Sequence, residues 1–231
     1  MKPMHIMGLH LVAVLSDDDG MENHRPLAPR LDYCRTLPGE WLSSYDNMID
    51  RIRRSGATDA APRPGDVMPD FVLPDAQGRL LRLSDLVAGG PAVLSFNRGS
   101  WCPYCAVEIT AWAEQRMALR DAGARLIIIT PEAGGRMAAL ADLAGEDAVV
   151  LCDLQMGVAL RTGLAFPVGP EVVQAFLADG FDLAVVNGTQ SGFLPVPATF
   201  LLGPDRTVHF AHVDPDFSHR AEPADVLAAL P

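Results

Sequence analysis

The sequence predicts an α/β fold, with a mixed central sheet and helices on both faces. Three observations predict it. From Ala92 onward, apolar runs of strand length alternate with segments of helical period. Near the end, Ala198 to Leu202 and Val208 to Val213 read as two strands joined by a turn at Gly203-Pro204-Asp205, close enough for an antiparallel pair. Ahead of the alternation, Phe71-Val72-Leu73 and Leu80-Leu81-Arg82-Leu83 flank a Gly78-containing turn, the outline of a β-hairpin.

Each element follows in order. Residues 1–38 hold polar clusters and prolines without a steady period and are read as a mobile N-terminal tail. Residues 39–63 are read as a helix and linker: Trp41, Leu42, Tyr45, Met48, Ile49 and Ile52 recur at i, i+3, i+4, and breakers follow Gly56. Residues 64–231 form the main domain. After the hairpin, Ser84 to Leu86 begin a helical turn and Ala92 to Phe96 a buried strand. Pro103 to Asp121 reads as one helix. Strands at Arg125 to Thr130 and Ala148 to Cys152 alternate with helices at Arg136 to Leu143 and Gly157 to Thr162. Ala224 to Leu230 closes the chain as a helix.

Composition narrows the function. The 231 residues are 49% hydrophobic, enough for one sizeable core. A net charge of −11 would be repelled by a phosphate backbone, so nucleic acid is a poor partner. Ile6 to Leu15 is an apolar run too short to cross a bilayer. Acidic residues follow it where a signal peptide would carry small ones. The expectation is a soluble cytoplasmic protein, with Met21 a possible start and no membrane partner. Four cysteines do not make a disulfide scaffold in a chain this long.

Two of those cysteines carry the chemistry, in Phe96-Asn97-Arg98-Gly99-Ser100-Trp101-Cys102-Pro103-Tyr104-Cys105. With Cys102 at the cap of a helix, Pro103 takes the first helical position, where its missing N–H costs nothing. Cys102 then faces unpaired backbone N–H groups and the positive end of the dipole, both of which favour a thiolate. Lowering a thiol pKa by about two units takes roughly 2.7 kcal/mol. Arg98 adds positive charge if its side chain turns inward; otherwise it is a surface charge. Cys105, one turn on, can close a disulfide with Cys102. A zinc site lacks ligands, since no second C-x-x-C or H-x-x-x-H exists. His209 and His212 would point to opposite faces of a strand. The expectation is therefore no metal and no bound cofactor.

Trp101-Cys102-x-x-Cys105 after a buried strand resembles the active site of the thioredoxin-fold superfamily, and Pro103-Tyr104 resembles the inner pair of glutaredoxins. Pro195-Val196-Pro197-Ala198-Thr199-Phe200 resembles that superfamily's cis-proline loop, which implies a cis Pro197 beside the cysteines and Val196 against substrate. Pro64 to Asp75, Leu83-Ser84-Asp85-Leu86, the Arg98 to Cys105 string, Val213 to Asp216 and Arg220 to Pro223 resemble the peroxiredoxin-like branch of the AhpC/TSA family. The resemblance covers about residues 64 to 231. It implies a thioredoxin-like fold and an antioxidant oxidoreductase that reduces hydroperoxides. Cys102 would be the attacking thiolate and Cys105 the resolving thiol, with the disulfide reduced by an external thiol donor of thioredoxin or glutathione type. Two departures matter. Peroxiredoxins place Thr or Ser where Gly99 stands, and a later-strand arginine where Pro197 stands. They favour the alternative of a protein disulfide reductase. A non-enzymatic redox sensor is the other alternative, with the helix at 40–55 as a partner or homodimer contact.

The remaining candidates have plainer readings. Trp101 is a lid beside the thiolate or packing. Glu108 is a proton relay or, more simply, an acid near a helix start. Asp214 and Asp216 belong to a solvated turn. Cys34 and Cys152 are spectators.

Overall fold

A computed structural model describes residues 26–36, 41–133 and 135–230. The apolar run at 6–15, Met21 and the rest of residues 1–25 lie outside the described residues. The first described element corrects an expectation. Residues 27–34, read as tail, form helix α1 (Leu27–Cys34). Leu27, Leu31 and Cys34 recur at i, i+4 and i+7 on its buried face, and Pro29 falls in the first turn, where proline is tolerated. Its free N-terminal amides are satisfied from far along the chain: Glu222 accepts from Leu27 N at 2.8 Å and Ala28 N at 2.9 Å. The cap and the covering surface are both remote in sequence, so the local pattern looks like tail.

Helix α2 (Trp41–Ser55) buries Tyr45, Met48, Ile49 and Ile52. Strands β1 (Val72–Pro74) and β2 (Leu80–Arg82) pair antiparallel around Gly78 and lead into α3 (Leu83–Val87). The central strand β3 (Ala92–Phe96) follows, then α4 (Pro103–Glu114) and α5 (Arg116–Asp121). The single helix expected over 103–121 breaks at Gln115, whose φ −89° and ψ 6° leave the helical region. Next come β4 (Arg125–Thr130), α6 (Arg136–Ala144), β5 (Val149–Cys152) and α7 (Gly157–Arg161).

The segment after α7 received no element in the sequence reading. It folds into β6 (Ala165–Pro167), α8 (Pro170–Ala178), α9 (Leu183–Asn187) and β7 (Phe193–Pro195), with β6 and β7 paired antiparallel. Its elements are short, so periodicity is weak. The local signals are Pro170 at the start of α8 and Asp182, which caps α9 by accepting from Ala184 N at 2.9 Å. Then β8 (Ala198–Leu202), β9 (Val208–Val213) and α10 (Pro223–Ala228) complete the chain.

The main sheet has the order β5-β4-β3-β8-β9. β3 runs parallel to β4 and antiparallel to β8, and β9 is antiparallel to β8, so the sheet is mixed as expected. Alternation along β3 sends Leu94 and Phe96 to one core with Met68, Leu83 and Phe200, and Val93 to another with Ile109, Trp112 and Leu140. A third core lies over the start of α4. There α1, α2 and α8 enclose both Cys102 and Cys105. The apolar face of α2 is thus used inside the chain, against α8 and the cysteine pair. The expected cis bond at Pro197 is absent: every described peptide bond is trans. Between β7 and β8 the chain is held by the Val196 N–H on Leu164 O, and trans is the default for an X–Pro bond.

Candidate active site

β3 delivers the chain to a loop, residues 97–101, that ends at the helix. Cys102 caps α4 in extended conformation (φ −84°, ψ 116°), with Pro103 in the first turn. The structure places Cys102, Cys105, Arg98 and Trp101 together, and Val196 joins the same apolar cluster. Both cysteines are free thiols in this structure, and neither has exposed surface.

Arg98 turns inward. Its Nη2 donates to Cys102 Sγ at 3.0 Å. The guanidinium has no exposed surface and lies 3.8 Å from the ring centre of Phe217, with Tyr45 and Trp101 at 5.4 and 5.5 Å. Aromatic faces are among the few apolar surroundings that favour a cation. Arg98 also donates its backbone N–H to Cys105 Sγ at 3.4 Å.

Burial pushes the Cys102 thiol up, but the Cys105 thiol hydrogen bond and the charges of Arg98 and Arg220 outweigh it and hold Cys102 at about 5. Cys105 moves the other way. Burial and donation to Cys102 raise it well above the usual thiol range. One sulfur is therefore an anion and the other its proton-bearing donor. The cause differs from the expectation. The Cys102 side chain makes no capping hydrogen bond to the helix, and the Cys105 amide contributes less than either arginine. The largest stabilising contribution comes from the Cys105 thiol one turn along, followed by the two buried guanidinium groups.

Sequence reasoning missed the second of these. Arg220 Nη2 donates to Cys105 Sγ at 3.7 Å, and its Nη1 forms an ion pair with Glu108, both residues fully enclosed. Glu108 also accepts from Ser95 Oγ at 2.9 Å and Thr199 Oγ1 at 3.1 Å. It sits in the second turn of α4 and, rather than a free relay, is the counter-ion of Arg220. Nothing near residue 105 announces a partner 115 positions away.

Gly99 has φ 132°, and a Cβ there would stand 2.6 Å from Glu132 Cδ and 2.8 Å from Trp101 Nε1. The space that Thr or Ser would take is already filled. Glu132, also missed, accepts from Ser100 N at 2.8 Å and Ser100 Oγ at 3.0 Å. Trp101 packs edge-on against Phe176 and tilted against Phe181. Pro197 is buried at the start of β8. Asp216 is tied to Arg35 at 3.3 Å and to Ser218, so its turn anchors α1 rather than lying free in solvent.

A family model for the AhpC/TSA family matches residues 64–211. The chain belongs to the AhpC/TSA family. The peroxiredoxin Rv1608c of Mycobacterium tuberculosis is 27% identical over 169 residues, 73% of this chain and 96% of that protein. The crystal structure of Peroxidoxin BcpB from Mycobacterium tuberculosis superposes with a TM-score of 0.55 at 24% identity, covering 72% of this chain and 95% of that one. A cysteine-to-serine mutant of the Peroxiredoxin 6 of Arenicola marina gives 0.57 at 16% identity, covering 72% and 71%. These structures show the thioredoxin-like fold of this AhpC/TSA chain, and the family makes it a thiol-dependent peroxidase by class. Among the described residues no cluster of three or more His, Cys, Asp or Glu is arranged to hold a metal, and no helix is long and apolar enough to cross a membrane.

Proposed function

We propose that this protein reduces small hydroperoxides through Cys102, with Cys105 resolving the product. The observation that carries the reading is the 3.0 Å contact between buried Arg98 and Cys102 Sγ, with Cys105 as donor to the same sulfur. The Cys102 thiolate attacks the terminal peroxide oxygen. The O–O bond breaks, the alkoxide leaves and takes a proton, and Cys102 becomes a sulfenic acid. Cys105 then displaces water to form the disulfide, and an external thiol donor of thioredoxin or glutathione type reduces it. Arg98 would serve where the family's later-strand arginine is replaced by Pro197. Trp101, Pro103, Val196 and Pro197 would shape the pocket.

The enclosure favours hydroperoxide over protein disulfide. Neither cysteine has exposed surface, and neither cysteine lines the cavity of about 170 Å³ that lies beyond the Tyr45 and Phe217 rings flanking Arg98. A small peroxide needs a far smaller opening to reach Cys102 than a folded disulfide substrate does. A cytoplasmic setting and a thiol donor protein fit the four free cysteines.

Mass spectrometry after one equivalent of hydrogen peroxide tests the reading. Cys105→Ser is expected to retain a sulfenic acid at Cys102, and Cys102→Ser to stay unoxidised. Brisk insulin disulfide reduction, with peroxide reacting no faster than it does with a free small thiol, would put the disulfide reductase first.

A further inference from the structure

Any reagent that oxidises or reduces the dithiol must reach a sulfur, yet neither cysteine has exposed surface. Some part of the enclosure therefore moves. The sheet beneath is tied by ladder hydrogen bonds. The cover above it is attached differently. Among the described residues, no backbone–backbone hydrogen bond joins α1 or α2 to the sheet, to α4 or to α8. Both helices are held by packing and by side chains.

Those side chains converge on the turn before α10. Arg35, at the end of α1, donates to Ser218 Oγ at 2.6 Å and pairs with Asp216 at 3.3 Å. Arg53 of α2 pairs with the same carboxylate at 3.6 Å. The Asp216 side chain is only 10% exposed, so water screens these charges weakly. The other ties engage one helix each: Glu222 caps α1, Arg30 reaches Glu114, and Arg51 reaches Glu171 and the Val168 carbonyl. Asp216 is where the two helices meet.

The next residue is Phe217. Its ring packs edge-on against Tyr45 of α2 at 4.6 Å and lies 3.8 Å from the guanidinium carbon of Arg98, the donor to Cys102. Beyond these rings lies the cavity of about 170 Å³, at the seam between the helices and the turn, with Arg35, Asp46 and Ser218 in its lining. The rings thus separate this cavity from the guanidinium that holds Cys102.

We propose that α1 and α2 form a cover latched by Asp216, and that its opening between Tyr45 and Phe217 sets the size of hydroperoxide that reaches Cys102. The inference rests on the peroxidase reading above. Hydrogen peroxide, scarcely larger than water, passes through side-chain fluctuations. A hydroperoxide with a bulky organic group needs α2 to carry Tyr45 away from Phe217. Its rate then scales with the fraction of molecules whose cover is open. Arg35, Arg53, Asp216 and Ser218 all lie outside residues 64–211, which match the family model, so the latch is an addition to the family domain.

Stopped-flow oxidation of the full chain by hydrogen peroxide and by cumene hydroperoxide tests the cover. Asp216→Asn removes the charge and keeps an acceptor for Ser218. Arg35→Gln with Arg53→Gln breaks the same pairs from two half-exposed side chains. In each variant the ratio of the cumene hydroperoxide rate to the hydrogen peroxide rate is expected to rise about tenfold, with hydrogen peroxide itself within about twofold. The ratio cancels any loss of folded protein. An unchanged ratio in either variant would overturn the proposal. If neither peroxide reacts, the peroxidase reading falls, and the cover is decided by N-ethylmaleimide and N-(1-pyrenyl)maleimide. These share a reacting group, carry no charge and differ in size. Peptide mass spectrometry then reads labelling of Cys102: a raised pyrenyl-to-ethyl ratio in the variants supports the cover, and an equal ratio sinks it.

Discussion

Replacing Arg98 with methionine tests the electrostatics directly. Methionine fills a similar space against Phe217, Tyr45 and Trp101 and keeps favourable sulfur–aromatic contact, but it carries no charge. At the 3.0 Å separation and an effective dielectric of about 20, two unit charges attract by about 5 kcal/mol, or about four pKa units. Cys105 and Arg220 still favour the anion, so a rise of about two to four units is expected for Cys102. From about 5, that takes the thiolate fraction at pH 7 from about 99% to about half or less. The assay is thiolate absorbance in the ultraviolet, titrated with pH. Burial pushes Cys34 up to about 12 and Cys152 to about 11, so neither interferes below about pH 9. The sign is fixed by the thiol's charge: wild-type reactivity with peroxide should rise through about pH 5 and level off by about pH 7, and the variant's rise should move upward. A variant that still titrates near 5 would refute the assignment of Arg98 as the group holding the anion.

Two further outcomes follow from the same geometry. Gly99→Thr, which restores the usual family residue, is expected to lose about 2–4 kcal/mol in denaturant unfolding and gain no peroxidase rate, because its Cβ meets Glu132 and its φ is left-handed; a stable, faster enzyme would contradict this. Glu108→Gln leaves Arg220 buried without its counter-ion and should cost about 3–5 kcal/mol in the same measurement, and a neutral result would show that Arg220 finds another partner.

The main sheet was readable because its inner strands are apolar runs bounded by turn residues and its edge strand, Val208–Val213, follows a clear turn. Ala92–Phe96, Arg125–Thr130, Ala198–Leu202 and Val208–Val213 fall where the pattern places them. The excursion from Ala165 to Pro195 was not, because three-residue strands and a five-residue helix carry too little period to stand out. Helix α1 had the right spacing, but its caps and contacts come from Glu222 and α4. Within the site, the cysteine pair and Arg98 share one short loop and were visible as a unit. Glu108 was visible as a residue and misread as a role, since its meaning depends on Arg220.

Sequence by itself determined which sulfur starts the helix, which one follows a turn later, and that a parallel-and-antiparallel sheet presents them. Those properties depend on neighbours within a few positions. Only the tertiary structure decided what joins the local Cys105 hydrogen bond in holding the first sulfur as an anion. Field strength falls with distance through space rather than along the chain, so guanidinium groups at 98 and 220, sealed from water by helices from the N-terminal side and an inserted excursion, add their charge to that local contact.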